Sequence, residues 1–190
     1  MEEAEKEEAD MKSTPMKWTF GPVRIKEARK MDALPILNIH REVLAEGVFF
    51  ITTPEEFGET LDQRAEFIEK AALSDNSVYL VAKTESNEVI GFLLLVGGTL
   101  KRVRHSAFLE IMVTSRARGC GVGRALMTAA LEWAEANPVL TKVGLSVFAD
   151  NDRAIELYRR FGFLEEGRRD NEYLMEDGTY RGDSLMYRYV

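Results

Sequence analysis

The chain is poor in the residues that build covalent or metal scaffolds. Its 190 residues include one cysteine and two histidines. A single cysteine excludes an internal disulfide, and two histidines beside it make a weak metal-ligand set, so no metal is expected. The longest nearly unbroken apolar run, Val89 to Val96, is far too short to span a bilayer, so no membrane is expected either. The first residues are acidic and lack the basic and apolar segments of a secretory leader, which makes a cytoplasmic location the default expectation. Positive charge is also short, with 25 Lys and Arg against 32 Asp and Glu for a net −7. Residues 1–12 hold six acids and two lysines, so −4 belongs to them and −3 to the rest. No basic face of the kind that phosphate backbones require is in view, so nucleic acid is not an expected partner. The mildly acidic body is compatible with a cationic substrate.

What is present is a core. Apolar residues make up 45% of the chain, enough for one sizeable domain and too many for a disordered one. Residues 1–20 read as a solvated acidic tail, and residues 21–190 as a single domain that opens with a strand near Val23 to Ala28. Asp32 precedes a helix carrying Leu34, Leu37, Ile39 and Val43. Thr53-Pro54-Glu55-Glu56 combines a cap, a first-turn proline and acids, predicting a second helix to about Leu73 with Leu61, Ala65, Ile68 and Ala72 on one face. Between them Glu46 to Ile51 forms an apolar loop that either lines a pocket or packs on the core.

Strands are expected at Val78 to Lys83, Val89 to Val96 and Ser106 to Thr114. A helix follows with Val122, Leu126, Ala129, Ala130 and Trp133 on its buried stripe, stopped by Asn137-Pro138. Lys142 to Ala149 is a strand, and Asp150-Asn151-Asp152 opens a helix ending at Gly162. Two strands, Phe163 to Leu174 and Ser184 to Val190, close the chain. The order β-α-α-β-β-β-α-β-α-β-β predicts a mixed α/β fold with a mainly antiparallel central sheet flanked by helices.

The densest signal is Val113-Thr114-Ser115-Arg116-Ala117-Arg118-Gly119-Cys120-Gly121-Val122-Gly123, set between a strand and an amphipathic helix. Glycines let a backbone approach phosphate closely, and a helix's first turn offers unpaired N–H groups, so the segment is an anion nest in waiting. Without a ligand it is a plain strand-to-helix connection. It is not a dinucleotide fingerprint, because Arg124 or Leu126 stands where the third glycine belongs. It is not a nucleoside-triphosphate loop either, since Gly-Lys-Ser/Thr is missing.

Arg118, Gly121 and Gly123, with Gly119 and Val122, resemble the Arg/Gln-x-x-Gly-x-Gly/Ala signature of the GNAT superfamily of N-acetyltransferases. Ser115 replaces the proline usual two residues after the strand valine. A second block agrees: Asn151-Asp152-Arg153-Ala154-Ile155-Glu156-Leu157-Tyr158, then Phe161-Gly162-Phe163 and Glu166-Gly167. The resemblance spans about Val23 to Val190 and implies a GNAT-type fold and acetyl-CoA as acyl donor. It further implies that the pyrophosphate is held by Arg118, Gly119, Cys120, Gly121, Val122, Gly123 and Arg124. Main-chain groups of Ile111, Met112 and Val113, at a bulge that splays the sheet, would pair with the pantetheine arm and polarise the thioester carbonyl. Asn151 would bond that arm while capping its helix, and Tyr158 would protonate the departing thiolate.

An alkylammonium near pKa 10.4 must lose a proton before its nitrogen attacks, so a base is expected. Glu110 is the first candidate and His105 a weaker one; a strand glutamate facing solvent is the alternative for Glu110. Cys120 suggests an acyl-enzyme, but the family transfers directly and the position is variable, so it reads as incidental. The implied activity is acetyl transfer to a primary amine, whether a small molecule, an amino acid, an antibiotic or a protein N-terminus. A non-catalytic CoA sensor and another donor such as succinyl-CoA stay open, as does a homodimer.

Overall fold

The computed structural model describes residues 21–190, so the acidic segment read as a tail lies outside the described residues. Strand β1 (Arg24–Glu27) leads through a short 3-10 turn at Lys30–Asp32 into helix α1 (Ala33–Leu44). Helix α2 (Leu61–Leu73) and strands β2 (Val78–Lys83), β3 (Val89–Gly97) and β4 (Ser106–Val113) follow. Helix α3 (Val122–Ala136), strand β5 (Lys142–Phe148), helix α4 (Asp152–Arg160) and strands β6 (Leu164–Leu174) and β7 (Tyr180–Tyr189) complete the order expected from the sequence.

The seven strands form one sheet in the order β1-β2-β3-β4-β5-β7-β6. Helix α3 covers one face over a cluster that includes Leu80, Leu93, Leu126, Met127 and Leu145. Helices α1 and α2 cover the other over Ile36, Ile68, Val81 and Phe92. A strand covered on both faces needs apolar residues throughout, which is why Val89 to Val96 reads as a run rather than an alternation and why β2 is buried along its whole length.

Every strand pair is antiparallel except β4 and β5, whose parallel ladder holds only from Ser106↔Lys142 to Phe108↔Gly144. Beyond it β4 stays with β3 as far as Val113, while β5 stays with β7 as far as Phe148. The two halves of the sheet therefore part company, and the sheet opens between Leu109 and Leu145 onward. The bulge expected in β4 is not the cause. The β3–β4 register runs without a break from Gly91↔Val113 to Gly97↔Ala107. The opening comes from each strand following its outer neighbour.

Two helical expectations need correction. Thr53 to Glu56 makes only a turn, in which the Thr53 amide donates to Glu56 Oε2 at 3.0 Å. Helix α2 starts later, where Thr60 and Gln63 form a reciprocal capping box. Gly58 lies between the two signals and makes a continuous helix costly, so the second start wins. The buried face of α2 is also rotated from the expected stripe. Arg64, Ala65, Ile68 and Ala71 face inward, while Leu61 and Ala72 are exposed. Arg64 is the reason, because it brings a charge network into the interior that apolar periodicity alone does not reveal.

Candidate functional site

At the open end of β4, Thr114 leads into a 3-10 turn at Ser115–Ala117 and then to the glycines. Gly119 (φ 78°) and Gly121 (φ 82°) occupy the left-handed region, where side chains with a Cβ are strained. Gly121 caps α3, and the first bond of helical register runs from the Ala125 amide to the Gly121 carbonyl. The amides just ahead of it have no partner within the helix and point out of its N-terminus. Ser115 explains its own departure from proline. Its amide and hydroxyl each donate to Glu42 Oε1 at 2.9 Å, and Thr114 Oγ1 reaches the same carboxylate at 2.7 Å. Proline has no N–H to offer there. Burial pushes the Glu42 carboxyl up, but the bonds from Thr114 and Ser115 and the nearby Arg116 outweigh it and hold the group below its usual range.

A cavity of about 920 Å³ fills the gap between the parted strands. One wall is β4 from Phe108 to Val113 with the glycine turn; the other is the end of β5 with α4. The loop from Glu46 to Thr52 forms its roof, so the pocket-lining alternative for that loop holds. Arg118 binds this roof. Its Nη1 and Nη2 donate to the two Glu46 carboxylate oxygens at 2.6 and 2.7 Å, and its Nε donates to the Val113 carbonyl at 3.0 Å.

Of the nominated residues, Ile111, Met112, Val113, Gly119, Gly121, Gly123, Arg124, Asn151 and Tyr158 line the cavity, as do Arg118 and Glu110. Val122 and Cys120 do not. The Val122 side chain is in the core, so it has only its backbone to offer a ligand, and Cys120, half-buried, has its Sγ against the Arg118 carbonyl at 3.7 Å. His105 is exposed where the β4–β5 ladder is still closed, away from the cavity, and drops out as a base.

Asn151 Oδ1 accepts from the Ala154 amide at 3.2 Å and so caps α4 as expected. Two helical turns on, the same face presents Tyr158. Its ring packs on Phe163 with centroids 5.9 Å apart, and burial pushes its hydroxyl up to about 12. The phenol therefore stays protonated at any neutral pH.

Glu110 is not turned to bulk solvent. It lines the cavity from the α1/α2 face of β4, and its Oε1 is buried without a hydrogen-bond partner. Burial raises its carboxyl above the usual range; the Arg64 guanidinium works against this and the Glu59 carboxylate adds to it. A carboxylate raised in this way is a better proton acceptor near neutrality.

Periodicity missed the group behind it. Arg64, buried, donates to the Tyr79 hydroxyl at 2.6 Å and to Glu59 Oε2 at 2.5 Å, and its Nη2 lies 2.8 Å from His40 Nδ1. Arginine only donates, so Nδ1 must accept and the His40 proton sits on Nε2. Burial, and then Arg64, lower His40 to about 4, which keeps it neutral and unfit as a base at pH 7. A buried-facing arginine on α2 and a histidine on α1, 24 residues apart, leave no local trace that could have joined them.

The profile of the Acetyltransferase (GNAT) family matches residues 45–163, well over half of the chain and the whole of the cavity's two walls. The chain belongs to the GNAT acetyltransferase family. It is an acyltransferase. Among curated relatives it is 28% identical to the spermidine N(1)-acetyltransferase of Vibrio cholerae over 133 residues, 70% of this chain and 75% of that protein. Among solved structures, a GNAT-family acetyltransferase from Streptococcus pneumoniae is 29% identical with a TM-score of 0.84, covering 89% of this chain and all of the other. A Salmonella typhimurium acetyltransferase solved with its cofactor acetyl-CoA has a TM-score of 0.79, covering 89% of this chain and 94% of its own. Its identity is 18%, so that likeness is one of fold. Acetyl-CoA is the family's donor, and the cavity of this GNAT protein is the place to seek it.

Proposed function

We propose that this GNAT protein moves an acetyl group from acetyl-CoA to a primary amine by direct attack. The observation that carries this reading is the placement of Glu110 and Tyr158 on opposite walls of one cavity that also meets the glycine turn. The pyrophosphate would lie against the amides around Gly119 to Arg124, since the Arg118 side chain is committed to Glu46 and Val113. Past Phe108 the edge of β4 that faces β5 has no strand beside it, so its main-chain groups are available to the pantetheine amides. This is the strand-addition chemistry that Ile111 to Val113 would supply.

Glu110 takes the proton from the acceptor ammonium, directly or through water, and the freed nitrogen attacks the thioester carbonyl carbon. The C–N bond forms, the C–S bond breaks, and its electron pair leaves on sulfur. The extra proton on the acylated nitrogen passes through water to the thiolate, while Glu110 returns the first proton to solvent. Tyr158 donates a hydrogen bond to that sulfur. Full proton transfer from a hydroxyl at about 12 to a thiolate of pKa about 8.5 is uphill by on the order of 5 kcal/mol. Burial thus favours a stabilising donor over a free proton source. The products are an N-substituted acetamide and CoA.

The test is thiol release from acetyl-CoA across a broad panel of primary amines, with mass spectrometry of the acetylated product. Turnover that depends on Glu110 and Tyr158 supports the reading. Tight acetyl-CoA binding with no amine turned over would assign a CoA sensor instead.

A further inference from the structure

Two buried carboxylate oxygens in the described residues have no hydrogen-bond partner, and both belong to residues lining the same cavity. One is Glu110 Oε1; the other is Oδ2 of Asp183 on β7. Leaving such atoms unpaired in the interior is costly, so each marks a place where a donor is missing.

Asp183 is 1% exposed and held firmly. Ser146 Oγ on β5 donates to its Oδ1 at 2.6 Å, and the Tyr173 hydroxyl lies against both Ser146 and Asp183. Arg169 Nη1 stands 4.0 Å from Oδ2, beyond hydrogen-bond reach, and is itself bonded to Glu172 at 3.0 Å. Over this floor stand aromatic walls. Phe148 lies 4.9 Å from Tyr173 and 6.3 Å from Phe49 of the roof loop, centroid to centroid. The Arg181 guanidinium already lies 4.4 and 4.9 Å over Phe148 and Phe49, so the rings serve a methylene chain and the partner of an organic cation is the buried carboxylate.

A carboxylate-bearing acceptor is poorly served here. Arg181 grips both oxygens of Asp150 and the Val48 carbonyl, and Arg64 gives its two terminal nitrogens to Glu59, Tyr79 and His40, leaving only a buried Nε on a residue outside the cavity lining. Arg124 and Arg153, which also line the cavity, stand at the glycine turn instead, where the pyrophosphate would lie. The oxygens without donors are acidic ones.

The spacing limits the ligand. Asp183 pairs with Phe148, so both side chains leave the same face of the sheet, the face that carries Glu110. Glu110 and Asp183 are two strands apart and, by extension of the Phe108↔Gly144 register, two residues out of level. At about 4.8 Å per strand and about 3.3 Å per residue, that separates them by on the order of 12 Å. We propose that the acceptor is a primary amine bearing a second ammonium about four to six methylenes away, with the attacked nitrogen at Glu110 and the distal ammonium at Asp183. The inference rests on the amine-acetylating reading above and names its substrate class as an α,ω-diamine or its N-alkylated homologue.

The experiment measures kcat/KM with acetyl-CoA for unbranched α,ω-diamines of three to eight methylenes, each beside the n-alkylamine of equal length. The expected profile peaks at about four to six methylenes, with the best diamine about tenfold or more above its monoamine, the worth of one charged hydrogen bond. Equal rates for diamine and monoamine at every length would overturn the proposal. Asp183→Asn should lower kcat/KM about tenfold more for the diamine than for the monoamine; an equal loss for both would mean a purely structural residue and overturn it. If that variant does not fold, the length profile of the natural protein decides alone. If no amine is turned over, the enzymatic reading fails first. Calorimetry of 1,5-diaminopentane against pentylamine then decides the subsite, and no preference for the diamine would overturn it.

Discussion

Arg118 and Glu46, 72 residues apart, meet in a two-point ion pair at 2.6 and 2.7 Å that ties the glycine turn to the roof of the cavity. A second arginine holds the same loop from the other half of the sheet. Arg181 donates to the Val48 carbonyl and lies 4.9 Å over the Phe49 ring. The roof is thus anchored to both sides of the gap it covers, by a signature residue of the glycine turn on one side and a strand residue on the other.

Glu46→Gln should loosen that roof without unfolding the domain. The pair is about one-third exposed, so its loss is expected to cost no more than about 1 kcal/mol of stability. Amide exchange at residues 46–51 should quicken and KM for the acceptor should rise. Exchange rates identical to the natural protein's would show that Arg181 alone holds the loop.

Gly121→Val places a β-branched residue at φ 82° on the cap of α3. The strain is worth about 1–3 kcal/mol, and a side chain enters the nest where a phosphate would lie. Calorimetry should show acetyl-CoA affinity falling by more than about tenfold, with far-UV spectra unchanged. Retained affinity would move the pyrophosphate elsewhere.

Tyr158→Phe keeps the ring against Phe163 and removes one hydroxyl. Losing a hydrogen bond to a developing thiolate should lower kcat by about 10- to 150-fold, with acetyl-CoA binding little changed. An unchanged kcat in single-turnover assays would assign the sulfur's donor to water.

Glu110→Gln should separate activity from stability. Because the folded protein raises this carboxyl, it binds a proton that the unfolded chain has already released. Stability therefore falls as pH rises from the ordinary carboxylate value through the raised one. The variant should melt higher than the natural protein above that window and lose the advantage below it. Its kcat/KM should be lower by about 10²–10⁴ near neutral pH, with the gap narrowing as pH approaches the amine's own pKa of about 10.4. A variant that is slower but no more stable at pH 8 would mean that Glu110 carries no stored burial cost.

Local chemistry was legible in the order of residues. The glycines between β4 and α3, the Asn151 cap and the stops at Asn137 and Gly162 act over three or four positions, and each stands where its pattern puts it. Unbroken apolar runs likewise mark β2 and β3, which are covered on both faces, and a period of 3.6 residues marks α3, whose burial repeats along one face. Even so, local signals compete. The start at Thr53 lost to the one at Thr60, and nothing at Thr53 itself could announce it.

Only the tertiary structure decided the rest. The sheet opens because β4 follows β3 while β5 follows β7, a choice made by pairings up to 47 residues apart, Lys142 with Tyr189. Whether Glu110 is a solvated strand residue or a buried one with a raised carboxyl depends on a cavity wall and on Arg64 from another helix, through burial and charge that act across space. Asp183 carries no motif at all. Its unpaired oxygen exists because Ser146, Tyr173 and the parted strands meet around it, and electrostatics in a low-dielectric interior depends on that meeting rather than on sequence distance.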